Sequence, residues 1–583
     1  MDRWSLVELY KGYNDIEYIK DLESLTKVVE EYKVYTSNLD VGSPEETLLA
    51  LIGYEEKITV LSNKLGAFAS LNQSVDTTDT ETVAQLDKIK RILSEINKPK
   101  AISDKYIGKV KSLEEIISNN EKLNAHKFFL MEIQKVAKHT LSDDVEDVIG
   151  KLDLSGGSAW EDMRDYLAST MEVDYKGEKI TLSAVRNLAY SSDPKVRKEA
   201  YEAELASYEK IKDAVSYSLN NIKFQVNTIS ELRAYESPLD MTLESSKMQK
   251  TTLMAMLGEM EAFMPKFREY LKRKAELLGH KNGLPFYDLF APLSEKQREF
   301  TVEEARDYLL KHFGSFSEDL FELVERAFEE EWIDFFPRKG KVGGAFCANL
   351  SVIKQSRVLT NFDGTLSSVI TLAHELGHAY HGYLIEDHLP LNTDYSMPVA
   401  ETASTFNEAI IMNAAISEAS GSEKMALIES QLQDVTQIIV DIYSRFLFES
   451  EVFKKRETGF MFSDELENMM LDAQKKAYGD GLNPDYLHPY MWVNKGHYYS
   501  SSLSFYNFPY AFGGLFARGL YAKYQAEGSS FVEKYKKLLR GTTVSSVEDV
   551  AKIADIDLTK SDFWKESLQS YAGLIDEFIE LSK

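Results

Sequence analysis

Along most of the chain, apolar residues recur every three or four positions among charged ones, and few glycines or prolines interrupt the rhythm. ESLTKVVEEYK (23–33) and TVAQLDKIKRILSEI (82–96) are typical, and the pattern predicts a mainly α protein. Two stretches depart from it. In MEVDYKGEKITLS (171–183), two β-prone runs flank Lys176 and Gly177, which predicts a β-hairpin. Just beyond it, Asp193 has the position of a helix N-cap and Pro194 that of the first helical residue. A boundary is placed here, between a helical N-terminal domain (1–190) and a second domain (191–583). From Phe335 to Thr365, Gly340, Gly343 and Gly344 cluster ahead of SRVLTNF, a run with strand character, which predicts a small β-sheet beside the helical body.

Composition narrows the class. A chain of 583 residues that is 44% hydrophobic and 28% charged buries a sizeable core, and no apolar run reaches membrane-spanning length. The net charge of −27 repels phosphate backbones and anionic headgroups, so neither nucleic acid nor a membrane is expected as a partner. Cys347 is the only cysteine, which excludes an internal disulfide and a cysteine-rich metal module; any metal must sit on histidine and carboxylate. The charged amino terminus, MDRWSLVELYKGYNDIEYIKDLE, lacks a secretory apolar core, and a cytoplasmic location is expected.

The strongest chemical signal is TLAHELGHAYH (371–381), an H-E-x-x-H pattern inside a proline-free helical stretch from Leu366 to Leu384. Residues four apart share a helix face, so His374 and His378 converge on one ion while Glu375 points to a water beside it. A catalytic zinc site takes three protein ligands and leaves a position open. After the loop HLPLNTDYSMP, a helix beginning at Pro398 would run back against the first, with Glu401, Ser404, Thr405 and Glu408 on one face. Glu401 is the expected third ligand and Glu408 the partner of a ligand histidine. Two imidazoles and one carboxylate favour zinc over magnesium or calcium. A di-iron carboxylate site would need a second Glu-x-x-His, which the sequence lacks. His381 and His388 lie outside the ligand spacing and are expected near the site's periphery or on the surface.

Such a site hydrolyses amides: zinc acidifies water, Glu375 accepts the proton and returns it to the leaving nitrogen, and a further donor supports the oxyanion. WVNKGHYYSSSLSFYNFPYAFGGLFARG (492–519) is rich in candidate donors. Tyr506 and Tyr510, four apart, could face the metal together, although aromatic stripes on helices usually pack cores.

LAHELGHAYH, VAETASTFNEA and this His/Tyr-rich segment together resemble the oligoendopeptidase F branch of the thimet oligopeptidase family, from about Asn187 to the carboxyl end and less specifically over the helical first third. The resemblance implies a large multi-helix peptidase fold around a deep channel, with a small β-sheet next to the zinc-binding helix and the first third as channel wall or lid. It implies a zinc metalloendopeptidase with one Zn2+ per chain, cutting internal bonds of short, unstructured peptides. Position by position it implies His374, His378 and Glu401 as ligands and Glu375 as the base. GGAFCANL (343–350) is similar to the family's substrate-facing segment, implying substrate contacts at Gly343, Gly344 and Ala345. It also implies that His497 contacts substrate and that Tyr506 or Tyr510 donates to the oxyanion, though HYYSSSLSFYNFPY spaces these residues differently from more familiar members. Cys347, in the same loop, is expected as a small packing residue.

Overall fold

The computed structural model describes residues 3–39, 42–293 and 298–583. Helices dominate, and their ends follow the local chemistry. Asp193 accepts from the Lys195 N–H at 2.8 Å and Pro194 opens the helix Pro194–Tyr208. Thr365 caps the helix Leu366–Leu384 by accepting from the Ser368 N–H at 3.2 Å. The hairpin forms from β1 (Glu172–Tyr175) and β2 (Glu178–Thr181), paired antiparallel, with Lys176 and Gly177 both at positive φ (53° and 83°) as a two-residue type I′ turn requires. Val173, Val185 and Ala200 make a small apolar cluster beneath it.

The sheet in the glycine-rich stretch has three strands, β3 (Ile333–Asp334), β4 (Phe346–Leu350) and β5 (Gln355–Leu359), in the order β3-β5-β4. β3 runs parallel to β5, and β4 is antiparallel to it, with Cys347 opposite Val358 and Leu350 opposite Gln355.

Two large apolar cores meet at this sheet. One is built from residues between Trp4 and Leu130 together with Leu350 and Leu359; the other runs from Met171 to Phe578 and includes Val358. Successive strand residues point to opposite faces. Val358 and Leu359 therefore enter different cores, and β5 ties the amino-terminal helices to the remainder of the molecule. The helix Leu366–Leu384 packs on β4 and β5, so the H-E-x-x-H segment rests on this shared layer. None of the described helices is long and apolar enough to cross a membrane.

Candidate metal centre

The helix Leu366–Leu384 packs against Thr402–Glu418, and glycine sets how closely. A Cβ on Gly377 would come within 2.5 Å of Ser404 Cα and 2.6 Å of the Ala403 carbonyl oxygen, so only glycine admits this backbone approach. Asn407 adds a bond across the contact, its Nδ2 donating to the Ala373 carbonyl at 3.3 Å. The second helix differs from expectation. It is not continuous from Pro398: a single turn, Met397–Ala400, ends at Glu401, whose φ and ψ of −91° and 7° break the helix before Thr402. The break turns the Glu401 carboxylate toward the two histidines.

Three donor atoms converge there. His374 Nε2 lies 3.2 Å from His378 Nε2 and 3.2 Å from Glu401 Oε2, and His378 Nε2 lies 3.3 Å from the same oxygen. A tetrahedral ion with bonds of about 2.0–2.2 Å separates its ligand atoms by about 3.3–3.6 Å. The observed triangle therefore has close to the edge lengths zinc requires, with room for a fourth ligand on the open side. Among the described residues, this is the group of histidine and carboxylate atoms close enough to hold one ion.

The surroundings fix each donor. His374 Nδ1 faces Glu408 Oε1 at 2.5 Å, which leaves Nε2 as the ring nitrogen turned to the triangle. Ser404 Oγ donates to Glu401 Oε2 at 2.8 Å. Gly513, on the helix Phe508–Glu527, leaves space for Glu401; a Cβ there would sit 3.3 Å from Glu401 Cβ. From β4, Asn349 Nδ2 donates to the His378 carbonyl at 3.2 Å, and Gly382 gives that amide its space. Asn349 and Gly513 escape sequence reading, whereas Ser404 stands on the expected face and Gly377 inside the motif itself.

Electrostatics agree with a cation site. His374 has its pKa raised to about 10: burial opposes the charge, but hydrogen bonds to Glu401 and Glu408 outweigh it. Burial also acts against the Glu401 carboxylate, yet bonds from His374 and His378 hold it well below the usual carboxylate range. Glu375 is buried beside them, and burial raises its carboxyl above the ordinary value.

His374, Glu375, Glu401, Glu408, Tyr510 and Ala345 all border one cavity of about 1070 Å³. Gly343 and Gly344 are exposed and do not border it. Asn361 Nδ2 instead ties the Gly344 carbonyl at 2.8 Å, and Gly344 takes a φ of 78°, so these glycines shape the turn leading into β4. Tyr506 does not share a helix face with Tyr510: it precedes the helix, in a turn, yet its ring lies 5.6 Å from that of Tyr510. The His497 ring is 5.2 Å from Tyr506 and 5.9 Å from Tyr510. Burial, with the Arg445, Lys495 and Arg164 charges, lowers the His497 pKa to about 4, so the ring is neutral near pH 7. Burial raises the Tyr510 phenol, helped by Tyr506 and Glu401, so it keeps its proton and can donate. His381 is not on the surface; fully buried, it bonds Thr542 Oγ1 at 2.8 Å, and burial lowers its pKa to about 3. His388 is half-buried, on Thr543 Oγ1. Cys347 is partly buried and burial raises its thiol pKa, which favours the protonated thiol near pH 7.

Residues 187–570 match the model of peptidase family M3, and residues 110–172 match a model described as oligopeptidase F. Over its whole length the chain is similar to oligopeptidase PepF of Bacillus subtilis (strain 168), at 23% identity covering 100% of this chain and 87% of that protein. Similarity to group B oligopeptidase PepB of Streptococcus agalactiae reaches 25% identity, covering 96% and 94%. The fold is shared with the crystal structure of oligoendopeptidase-F from Enterococcus faecium (TM-score 0.71, 18% identity, 97% of this chain and 98% of that one). It is shared too with PZ peptidase A solved with an inhibitor (TM-score 0.71, 16% identity, 96% and 97%).

Proposed function

Because the chain belongs to peptidase family M3 and is therefore a peptide-bond hydrolase of a metallopeptidase family, we propose that it is a zinc-dependent endopeptidase cutting internal bonds of short, unstructured peptides in the cytoplasm. The observation that carries this reading is the His374–His378–Glu401 triangle, with edges of 3.2–3.3 Å, of which His374 and Glu401 line one cavity together with Glu375. Residues 1–190 serve as channel wall and 191–583 as the catalytic domain. The net charge of −27 supports peptides over nucleic acids as substrates.

Held by His374, His378 and Glu401, zinc would act as a Lewis acid toward water and the scissile carbonyl. Glu375 accepts the proton of the attacking water and delivers it to the leaving nitrogen; its burial-raised pKa makes it a stronger base than an exposed glutamate. Glu408 keeps His374 in the tautomer that presents Nε2. Tyr510, with the Tyr506 ring tilted and the His497 ring edge-on beside it, supplies a protonated hydroxyl to the oxyanion, while His497 orients the peptide. Ala345 contributes to the substrate-facing wall, with Gly343 and Gly344 forming the turn behind it.

An internally quenched peptide of about ten residues, compared with a folded protein before and after chelation and zinc return, tests the reading. Internal cuts in the peptide alone, lost on chelation and restored by zinc, are the expected result. Cuts confined to chain ends, or turnover indifferent to chelation, would refute it.

A further inference from the structure

Tyr506 lies within a strained turn, and Tyr510 follows it on the helix that the turn starts. Phe505 has a φ of 55°, in the left-handed region that a bulky side chain rarely occupies, and the Asn507 N–H folds back onto the Phe505 carbonyl at 2.6 Å. Such a conformation persists only where its surroundings hold it. Here the holder is a single carboxylate with no solvent exposure. Glu449 Oε1 accepts from the Phe505 N–H at 3.1 Å and from Lys223 Nζ at 2.7 Å, and its Oε2 accepts from Asn507 Nδ2 at 3.2 Å. Both ion-pair side chains are 0% exposed. The Lys223 ammonium lies over the Phe453 ring at 4.5 Å, and Phe453 in turn stacks on Phe505 at 5.2 Å. Thr242 Oγ1 holds the next residue back, donating to the Ser504 carbonyl at 3.1 Å.

A buried ion pair is a weak source of stability, since a well-packed apolar pair of similar volume often serves the fold as well. What apolar side chains cannot supply is a directional acceptor for two donors on a strained turn. The turn has consequences for the site: it aims Tyr506 and starts the helix Phe508–Glu527, which carries Tyr510 to the cavity and Gly513 against Glu401.

We infer that Glu449 and Lys223 are positioning residues for hydrolysis, holding the Phe505–Asn507 turn so that Tyr506 and Tyr510 face the reacting carbonyl. This rests on the reading that one of these tyrosines supplies the oxyanion donor. Two changes isolate the role. Asn507→Ala removes one tether and leaves the ion pair intact. In a charge-free background, Lys223→Met/Glu449→Leu removes the acceptor, and Lys223→Met/Glu449→Gln restores it as an amide carbonyl.

In variants that retain one zinc per chain and wild-type circular dichroism, Asn507→Ala should lower kcat about five- to tenfold with KM within about twofold. The leucine double variant should lose about ten- to a hundredfold in kcat, and the glutamine double variant should recover most of it. In a Tyr506→Phe/Tyr510→Phe background, Asn507→Ala should cost less than about twofold, because its route is already cut. If the Tyr→Phe changes lower kcat but Asn507→Ala and the leucine double variant do not, the positioning role fails while the tyrosine reading stands. If the Tyr→Phe changes leave kcat intact, both fail, whatever the Glu449 variants do.

Discussion

The metal half of the candidate site and its tyrosine half are built on opposite principles. His374, Glu375 and His378 lie on one helix, where the period of 3.6 residues alone brings i and i+4 together. Their partners Glu401, Ser404 and Glu408 come from the adjoining helical segment, pressed close by Gly377. In the tyrosine half Tyr510 rides on the helix Phe508–Glu527, but His497 and Tyr506 belong to the run between Asn494 and that helix, whose only regular element is the 3-10 turn Gly496–Tyr498. The run is tethered by groups far away in sequence: Arg164 on the Val493 carbonyl at 2.8 Å, Thr242 on Ser504, and Glu449 on Phe505 and Asn507. Regular secondary structure fixes His374, Glu375 and His378 directly, whereas the run carrying His497 and Tyr506 is only as rigid as its tethers. The metal donors should accordingly respond to local changes of chemistry, and the tyrosines to changes at a distance.

The sharpest break lies within the metal half. Glu375→Gln should keep one zinc per chain and lower kcat by about three to four orders of magnitude, the upper part of what a positioned base supplies. Glu401→Ala should instead strip the metal, which elemental analysis of the purified variants separates from loss of the base; zinc-replete Glu401→Ala would remove that ligand from the set. In the tyrosine half, Tyr510→Phe should lower kcat by about two to three orders of magnitude at unchanged zinc content. A change confined to KM would make the hydroxyl a substrate contact instead. Gly377→Ala should destabilise the fold by about 1–3 kcal/mol, because its Cβ meets backbone that must move, and should weaken zinc affinity by about tenfold. Denaturant titration and competition with a zinc indicator read the two effects.

The smallest effect concerns pH. His381 is buried with its pKa lowered from 6.5 to about 3, so the unfolded chain binds the proton first as pH falls. The stability that depends on its neutral ring is present above about pH 6.5 and is lost progressively toward pH 3. Between pH 7 and pH 5 the wild type should lose about 1–2 kcal/mol more than His381→Asn, measured by unfolding at each pH. Equal losses in the two proteins would place the acid sensitivity elsewhere.

The helices were legible because amphipathic period and capping chemistry are local: Asp193 with Pro194, and Thr365 ahead of Leu366, mark their own helix starts. The hairpin at Lys176–Gly177 and the strand in SRVL were legible for the same reason. The H-E-x-x-H face and the Glu401 and Glu408 positions follow from spacing along the chain, which the backbone converts directly into direction. The helix break at Glu401 did not appear in the sequence, where Pro398 marks the start of one continuous helix; in the fold it falls where Glu401 packs beside Gly513 and faces the two imidazoles. Nor could the sequence show that Ala345, and not Gly343 or Gly344, borders the cavity, or that His381 is buried on Thr542. Least visible was the link among Lys223, Glu449 and Phe505, because residues 226 and 56 positions apart meet only when the helices Lys212–Leu232 and Ile442–Arg456 and the turn are docked. Sequence thus determined the elements and the metal-binding face, where short-range geometry suffices. The aim of the tyrosines was left to tertiary structure, since a turn with no hydrogen-bond ladder of its own takes its direction from whatever buried donors and acceptors the fold places around it.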